Sequence, residues 1–366
     1  MKRALPLLLI LLLAAAVPTV TQADAVPAEA AYLIEAHSGR VLTEQNANAH
    51  LPMASTTKIM TALLAIESGR LSETVAVPRA AVGTEGSSMY LKEGETLPLL
   101  DLVYGLMLTS GNDAAVAIAC VLDGDVSAFA ARMNARAAEL NLNDTHFTNP
   151  NGLSDPDHYT SARDLCMLAA AAMQNETFAA VVRTTYRTTE GSIPHRLKNK
   201  NRLLWEYEGG VGVKTGYTKA AGKCLVFAAE RGGMLLVGAV LNCPDMWNAA
   251  KSMLNAGFQA YRAKLFLDER TAFWLPVKNG AKKTLSAAPI RSILYPTEID
   301  GGEAFTVRTA LERELCAPVY AGTAVGTATL FKNGEAVLMV PITARETVLP
   351  AGFSYYFHMA VKDYVG

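Results

Sequence analysis

The stretch Pro52-Met53-Ala54-Ser55-Thr56-Thr57-Lys58-Ile59-Met60 holds the residues best suited to chemistry. Ser55 and Lys58 are three apart, and residues three apart on a helix face the same way. Ile59, Ala62, Leu63 and Ile66 continue an apolar stripe, so the helix is expected to be buried. A lysine drawn into such surroundings loses hydration and gives up its proton more readily. Its neutral amine can then take the proton of a serine hydroxyl, which is a weak nucleophile unaided. The helix N-terminus adds N–H groups and a partial positive charge that suit a developing oxyanion. That chemistry is acyl transfer. Alone, the pair is a weak signal. About one Ser-x-x-Lys match arises by chance in a chain this long, and a serine cap with a surface lysine is the commoner outcome.

Two further signals stand beside it. Ser110-Gly111-Asn112 ends one helix-like run and opens another. Its hydroxyl and amide could relay a proton and orient Lys58. Lys214-Thr215-Gly216 lies at the end of a strand pattern. There Gly216 lets a backbone approach closely, while Lys214 and Thr215 offer a cation and a hydroxyl to a carboxylate. A given tripeptide such as Lys-Thr-Gly is expected only a few times per hundred chains of this length.

The elements that must position these groups can be read from patterning. Ala31–Ala36 and Arg40–Glu44 flank a Gly39 turn and predict a β-hairpin. The Ser55 helix is expected to end near Gly69. Thr74–Val77 predicts a short strand, and Leu99–Leu108, Asn112–Leu122 and Ser127–Leu140 predict helices, making residues 71 to about 185 mostly helical. The turn formers of residues 149–156 must be loop, and Thr160 or Ser161 should cap the next helix. Strands follow at Val211–Lys214, Cys224–Glu230 and Met234–Asn242, the last two joined by a tight turn at Arg231-Gly232-Gly233. Asp245 should cap a helix to about Ala263. Strands from both ends thus surround a helical insert, an α/β arrangement on one antiparallel sheet. From about 276 to 349, short apolar runs and Gly-rich turns predict a small all-β domain. The basic run Arg196, Lys198, Lys200 and Arg202 reads as a solvated loop slightly ahead of a carboxylate-binding patch.

Composition bounds the rest. The chain has 366 residues, enough for two domains, and a formal net charge of −1 that points to no nucleic-acid partner. Lys2-Arg3, an apolar run from Leu5 to Val17 and a small-residue exit describe a signal peptide over residues 1–25, with export as its consequence. Five cysteines without C-x-x-C spacing argue against zinc and read as buried thiols, with one disulfide left open. The end of the chain, 351–366, carries aromatic residues at helical spacing over Phe353–Tyr364. It could lie on a membrane surface or pack on its own domain.

Together and in this order, the three signals match the S-x-x-K, S-x-N and K-T-G set of penicillin-binding proteins and β-lactamases, with Gly111 where the second motif commonly has Asp. The chain resembles low-molecular-weight penicillin-binding proteins, serine-type D-alanyl-D-alanine carboxypeptidases. The likeness also takes in Asp113-Ala114, the Asn149-Pro150-Asn151-Gly152-Leu153 loop and Gly212–Thr218 with Ala221-Gly222. It implies a β-lactamase/transpeptidase-like catalytic domain over 26–272 and a small β-sandwich over 276–350. It further implies that Ser55 attacks the penultimate D-alanine carbonyl with Lys58 as base. Ser110 would shuttle a proton and Asn112 would position Lys58 and the substrate. Lys214, Thr215, Gly216 and Tyr217 would bind substrate, with the N–H groups of Ser55 and Tyr217 as oxyanion hole. The partners would be peptidoglycan stem peptides ending in D-Ala-D-Ala and β-lactams, in the cell wall or at the outer face of the cytoplasmic membrane. No metal or organic cofactor enters that scheme. Tyr217 stands where many relatives have histidine.

Three rivals share these motifs. A class A β-lactamase needs an acidic residue to activate the deacylating water. No Glu-x-x-x-Asn follows Asn149, and Asp155 and Asp157 lack the matching context. A transpeptidase differs only in its acceptor, and a non-catalytic wall-peptide or β-lactam sensor would lack turnover.

Overall fold

The computed structural model describes residues 26–352, so the N-terminal run 1–25 and the aromatic run Phe353–Tyr364 lie outside the described residues. The hairpin forms as expected from strands Ala30–Glu35 and Val41–Gln45. Glu35 fixes its turn by accepting hydrogen bonds from Ser38 N at 2.9 Å and Ser38 Oγ at 2.6 Å. Met234–Leu241 pairs with the first strand, Gly222–Arg231 with that, and Gly210–Thr218 closes the row, all antiparallel. Gly232 and Gly233, with φ of +56° and +78°, make the two-residue turn between the middle strands. Positive φ at both positions matches the strands' right-handed twist.

The unbroken apolar runs follow from burial on both faces of this sheet. Along Met234–Leu241, Leu235, Val237 and Ala239 enter a core shared with the central helices. Met234, Leu236 and Val240 enter a second core beneath the helix Met246–Ala260. Successive side chains on a strand point to opposite faces, so both alternating sets must be apolar.

Lys58–Glu67 is the central helix, and Lys58 through Ile66 are all buried. A helix apolar on every side is what such a position demands. Around it pack Asn112–Asp123, Val126–Glu139 and Ala162–Met173. Ser161 caps the last of these, its Oγ accepting from Asp164 N at 3.1 Å. Asp245 does not cap its helix. Its carboxylate takes the Asn248 side-chain amide at 2.9 Å instead of a backbone N–H, and the helix ends at Ala260.

It ends there because the chain turns into strand Tyr261–Leu267, which pairs with Ile293–Glu298. A six-stranded sheet follows, holding Phe273–Lys278, Thr284–Pro289, Phe305–Leu311, Leu315–Cys316, Ala324–Lys332 and Glu335–Ala344. It has its own core around Leu285, Ile293, Leu330, Val340 and Ile342. All five cysteines are free. Cys166, Cys224 and Cys243 are buried thiols, whereas Cys316 is exposed.

Candidate active site

Ser55 does not begin an α-helix. It sits in a 3-10 turn, Ala54–Thr57, that feeds the helix starting at Lys58. Ala54 holds a left-handed φ of +49°, a conformation costly for a residue with a Cβ. Its carbonyl accepts Thr57 Oγ1 at 2.8 Å. Thr57 Oγ1 in turn lies 2.7 Å from His158 Nε2. His158 Nδ1 accepts from Thr148 N at 3.0 Å, so the proton of the neutral ring sits on Nε2 and is donated to Thr57. Burial pushes His158 down to about 4, which keeps that tautomer in place at neutral pH. The loop after Asn149 completes the cradle. Asn149 Oδ1 accepts Gly152 N at 2.7 Å, and Gly152, at φ +86°, lies so close that a Cβ there would fall 2.0 Å from Ala54 O. Only glycine fits.

Lys58 Nζ is wholly buried and lies 2.8 Å from Ser55 Oγ, 2.7 Å from Asn112 Oδ1 and 2.5 Å from the Asn151 carbonyl. No carboxylate is among these partners. Burial first, then the nearby charges of Lys214 and Lys200, hold the amine well below its ordinary range, with Asp113 opposing weakly. A neutral amine has two N–H donors and one lone pair. The two carbonyl oxygens take the donors, which leaves the lone pair for the Ser55 O–H.

The second motif arrives on a distorted helix. The expected helix runs regularly over Leu99–Tyr104, then widens into a π-turn over Gly105–Thr109. Ser110 follows with a left-handed φ of +64°. Such strained positions gather where a side chain must be aimed. Asn112 then opens the next helix. It is fixed from behind by a strap, its N–H donating to Ser87 O at 2.6 Å and its Nδ2 to Glu85 O. Asp113 ties down the same strap, accepting Met89 N at 3.0 Å, Leu91 N at 3.1 Å and Ser88 Oγ at 2.6 Å.

The third motif lies on Gly210–Thr218, the edge strand of the sheet. An added Cβ on Gly216 would sit 3.0 Å from Met53 O and 3.1 Å from Ser55 N, so this strand runs against the serine's own backbone. Lys214 is buried, donates to Thr215 O at 3.0 Å and is pushed down to about 7, by burial first and by Lys200 second. An open cavity of about 450 Å³ lies between these parts, bordered by Ser55, Ser110, Thr215, Gly216 and Tyr217. The structure therefore gathers all eight residues singled out from the sequence. Five of them border the cavity, and the other three, Lys58, Asn112 and Lys214, lie buried beside them.

Three participants carried weaker signals. Ser87 and Lys200 line the same cavity, Lys200 Nζ donating to Ser87 Oγ at 3.1 Å. Lys200 belongs to the basic run read as a solvated loop, and its place at the cavity corrects that reading. Trp247, in the first turn of the helix Met246–Ala260, also lines the cavity.

Residues 17–245 match the D-alanyl-D-alanine carboxypeptidase family, peptidase S11, and residues 267–349 match the C-terminal domain of penicillin-binding protein 5. The D-alanyl-D-alanine carboxypeptidase DacF of Bacillus subtilis is 33% identical over 350 residues, covering 92% of this chain and 90% of that protein. The structure of penicillin binding protein 5 from Haemophilus influenzae superposes with a TM-score of 0.71 at 27% identity, covering 89% of this chain and 98% of that one. The Streptomyces K15 DD-transpeptidase superposes with a TM-score of 0.61 at 35% identity, covering 64% of this chain and 98% of that one. On the family match over most of its length, together with the geometry around Ser55, this chain belongs to the D-alanyl-D-alanine carboxypeptidase family, peptidase S11, and is a hydrolase.

Proposed function

We propose that the chain removes the terminal D-alanine from peptidoglycan stem peptides ending in D-Ala-D-Ala, through an acyl-enzyme on Ser55. The observation that carries this reading is the contact between Ser55 Oγ and a buried Lys58 Nζ that has no carboxylate partner. Ser55 Oγ attacks the carbonyl carbon of the penultimate D-alanine, and Lys58 Nζ takes its proton. The backbone N–H groups of Ser55 and Tyr217 stabilise the oxyanion. Ser110 passes a proton to the nitrogen of the departing D-alanine as the C–N bond breaks. Asn112 keeps Lys58 aimed, Thr215 and Lys214 hold the terminal carboxylate, and Gly216 leaves room for the peptide beside the edge strand. Water then attacks the ester and frees Ser55.

β-Lactams mimic the acyl donor, acylate Ser55 and leave slowly. Export through residues 1–25 and action outside the cytoplasmic membrane belong to the same reading, since the wall polymer lies there. Attachment to that membrane through the amphipathic end 351–366 is part of the proposal. The likeness to the K15 DD-transpeptidase favours one second reading, in which an amine replaces water as acceptor.

The test is release of free D-alanine from a D-Ala-D-Ala peptide, with Ser55→Ala as control. Release by the wild type alone is the expected result. Stable β-lactam labelling without release would indicate a sensor, fast β-lactam hydrolysis a lactamase, and a new peptide product with glycylglycine a transpeptidase.

A further inference from the structure

A second cleft, of about 660 Å³, shares Lys200 with the Ser55 cavity. Its walls are a two-stranded ribbon, Tyr186–Thr188 with Arg196–Lys198, and the short helical turn Leu203–Glu206. Tyr186 and Lys198 are direct cross-strand partners. Tyr186 and Trp205 meet edge to face, with ring centroids 6.3 Å apart, yet stay 60% and 46% exposed. Lys198 Nζ stands 5.6 Å from one ring and 5.8 Å from the other. Ring quadrupoles attract a cation at this range, so the ammonium is held without being neutralised.

The charges around it are unbalanced. Lys198, Lys200 and Arg202 line the cleft together with one carboxylate, Glu206. Glu206 is already engaged by Arg202 at 2.5 Å and by Lys251 at 2.8 Å. Among the described residues Lys198 forms no ion pair. The walls of the two clefts also touch, the Arg202 guanidinium lying 5.4 Å from the ring of Trp247, which borders the Ser55 cavity. Lys198 and Lys200 are two residues apart, so their Cα atoms lie within about 7 Å. One short peptide can therefore reach both clefts.

We propose that this cleft is a subsite for the peptidyl part of the substrate, upstream of the bond attacked, and that Lys198 docks a carboxylate carried there. Two faces of exposed aromatic ring hold the ammonium in position, and a ligand carboxylate completes a charge-assisted pair with it. A neutral saccharide would use the rings but would not need the ammonium. The inference rests on the reading of the Ser55 cavity as the place where a peptide is cleaved.

The test is calorimetric binding to the full chain carrying Ser55→Ala, so that no turnover is required. The probes are an acyl-Glu-X-D-Ala-D-Ala peptide, its isosteric Gln counterpart and a neutral muramyl sugar. The acidic peptide should bind about fivefold tighter than the Gln form, as a partly exposed ion pair allows. That preference should disappear in Ser55→Ala/Lys198→Gln and fade in 0.5 M salt, an ionic strength that screens exposed pairs to about a few ångströms. Melting temperatures of both variants confirm that each is folded. Equal affinity for the two peptides, a preference that survives Lys198→Gln, or sugar binding that outlasts salt would overturn the proposal. The outcome is separable from the function assay. A Lys198-dependent preference in a protein that releases no D-alanine leaves the subsite standing and removes the peptidase reading, and the reverse result removes only the subsite.

Discussion

Lys58 and Arg40 are both buried basic side chains, one beneath the nucleophile and the other where the first hairpin meets the C-terminal strands. Arg40 is surrounded by counter-charge. Its guanidinium donates to both oxygens of Glu303 at 2.8 and 2.9 Å, to Pro296 O at 2.8 Å, and to Glu298 at 3.2 Å. The Tyr261 ring lies 4.5 Å away. Burial works against its charge, but the Glu303 hydrogen bonds and charge hold Arg40 above the ordinary arginine value. Lys58 is buried more completely, and the charges that bear on it most are those of two more lysines, Lys214 and Lys200. Burial with a carboxylate preserves a cation and makes it a structural tie. Burial without one removes the proton and leaves a base.

Substitution separates the two roles. Lys58→Met should lower acylation by benzylpenicillin by about a thousandfold or more, followed by mass spectrometry of the Ser55 adduct. Its melting temperature should not fall, because the change removes a buried amine that has no counter-charge. The sign follows from linkage. Lys58 resists protonation when folded, so the unfolded chain binds more protons below lysine's ordinary 10.5, and this residue's share of stability is lost as pH falls from there. Arg40→Met should reverse the pattern. It leaves Glu303 with Lys332, at 3.4 Å, as its cationic partner and should cost up to about 3 kcal/mol in denaturant unfolding. The acylation rate of the folded fraction should stay within about twofold, since Arg40 touches nothing in the Ser55 cavity. Equal destabilisation by both substitutions would erase the distinction.

The two regions also differed in how far the sequence revealed them. Ser55 and Lys58 were legible as a pair one turn apart, and Asn112 and the Lys214–Tyr217 run because the three motifs occur in the order the family resemblance requires. The hairpin and the middle strands were legible because both sheet faces demand apolar residues. The Lys58 contact with Asn151 was not, since a backbone carbonyl leaves no mark on residue type. Nor were Ser87 and Lys200, which meet across 113 positions and depend on how two loops lie over one another. The 3-10 start at Ser55 was hidden for a similar reason. It depends on Ala54 being held left-handed by Thr57, His158 and Gly152, two of which come from a loop a hundred residues away. Arg40 looked like an ordinary hairpin charge, because its partners lie more than 250 positions downstream.

The central claim concerns one proton. The 13Cε resonance of Lys58, followed by NMR against pH, reports its titration directly. The account predicts a midpoint well below 10.5, moving upward in Lys200→Met as a neighbouring positive charge is removed. A Lys58 that titrates like an exposed lysine, near 10.5 and unmoved by that substitution, would contradict it.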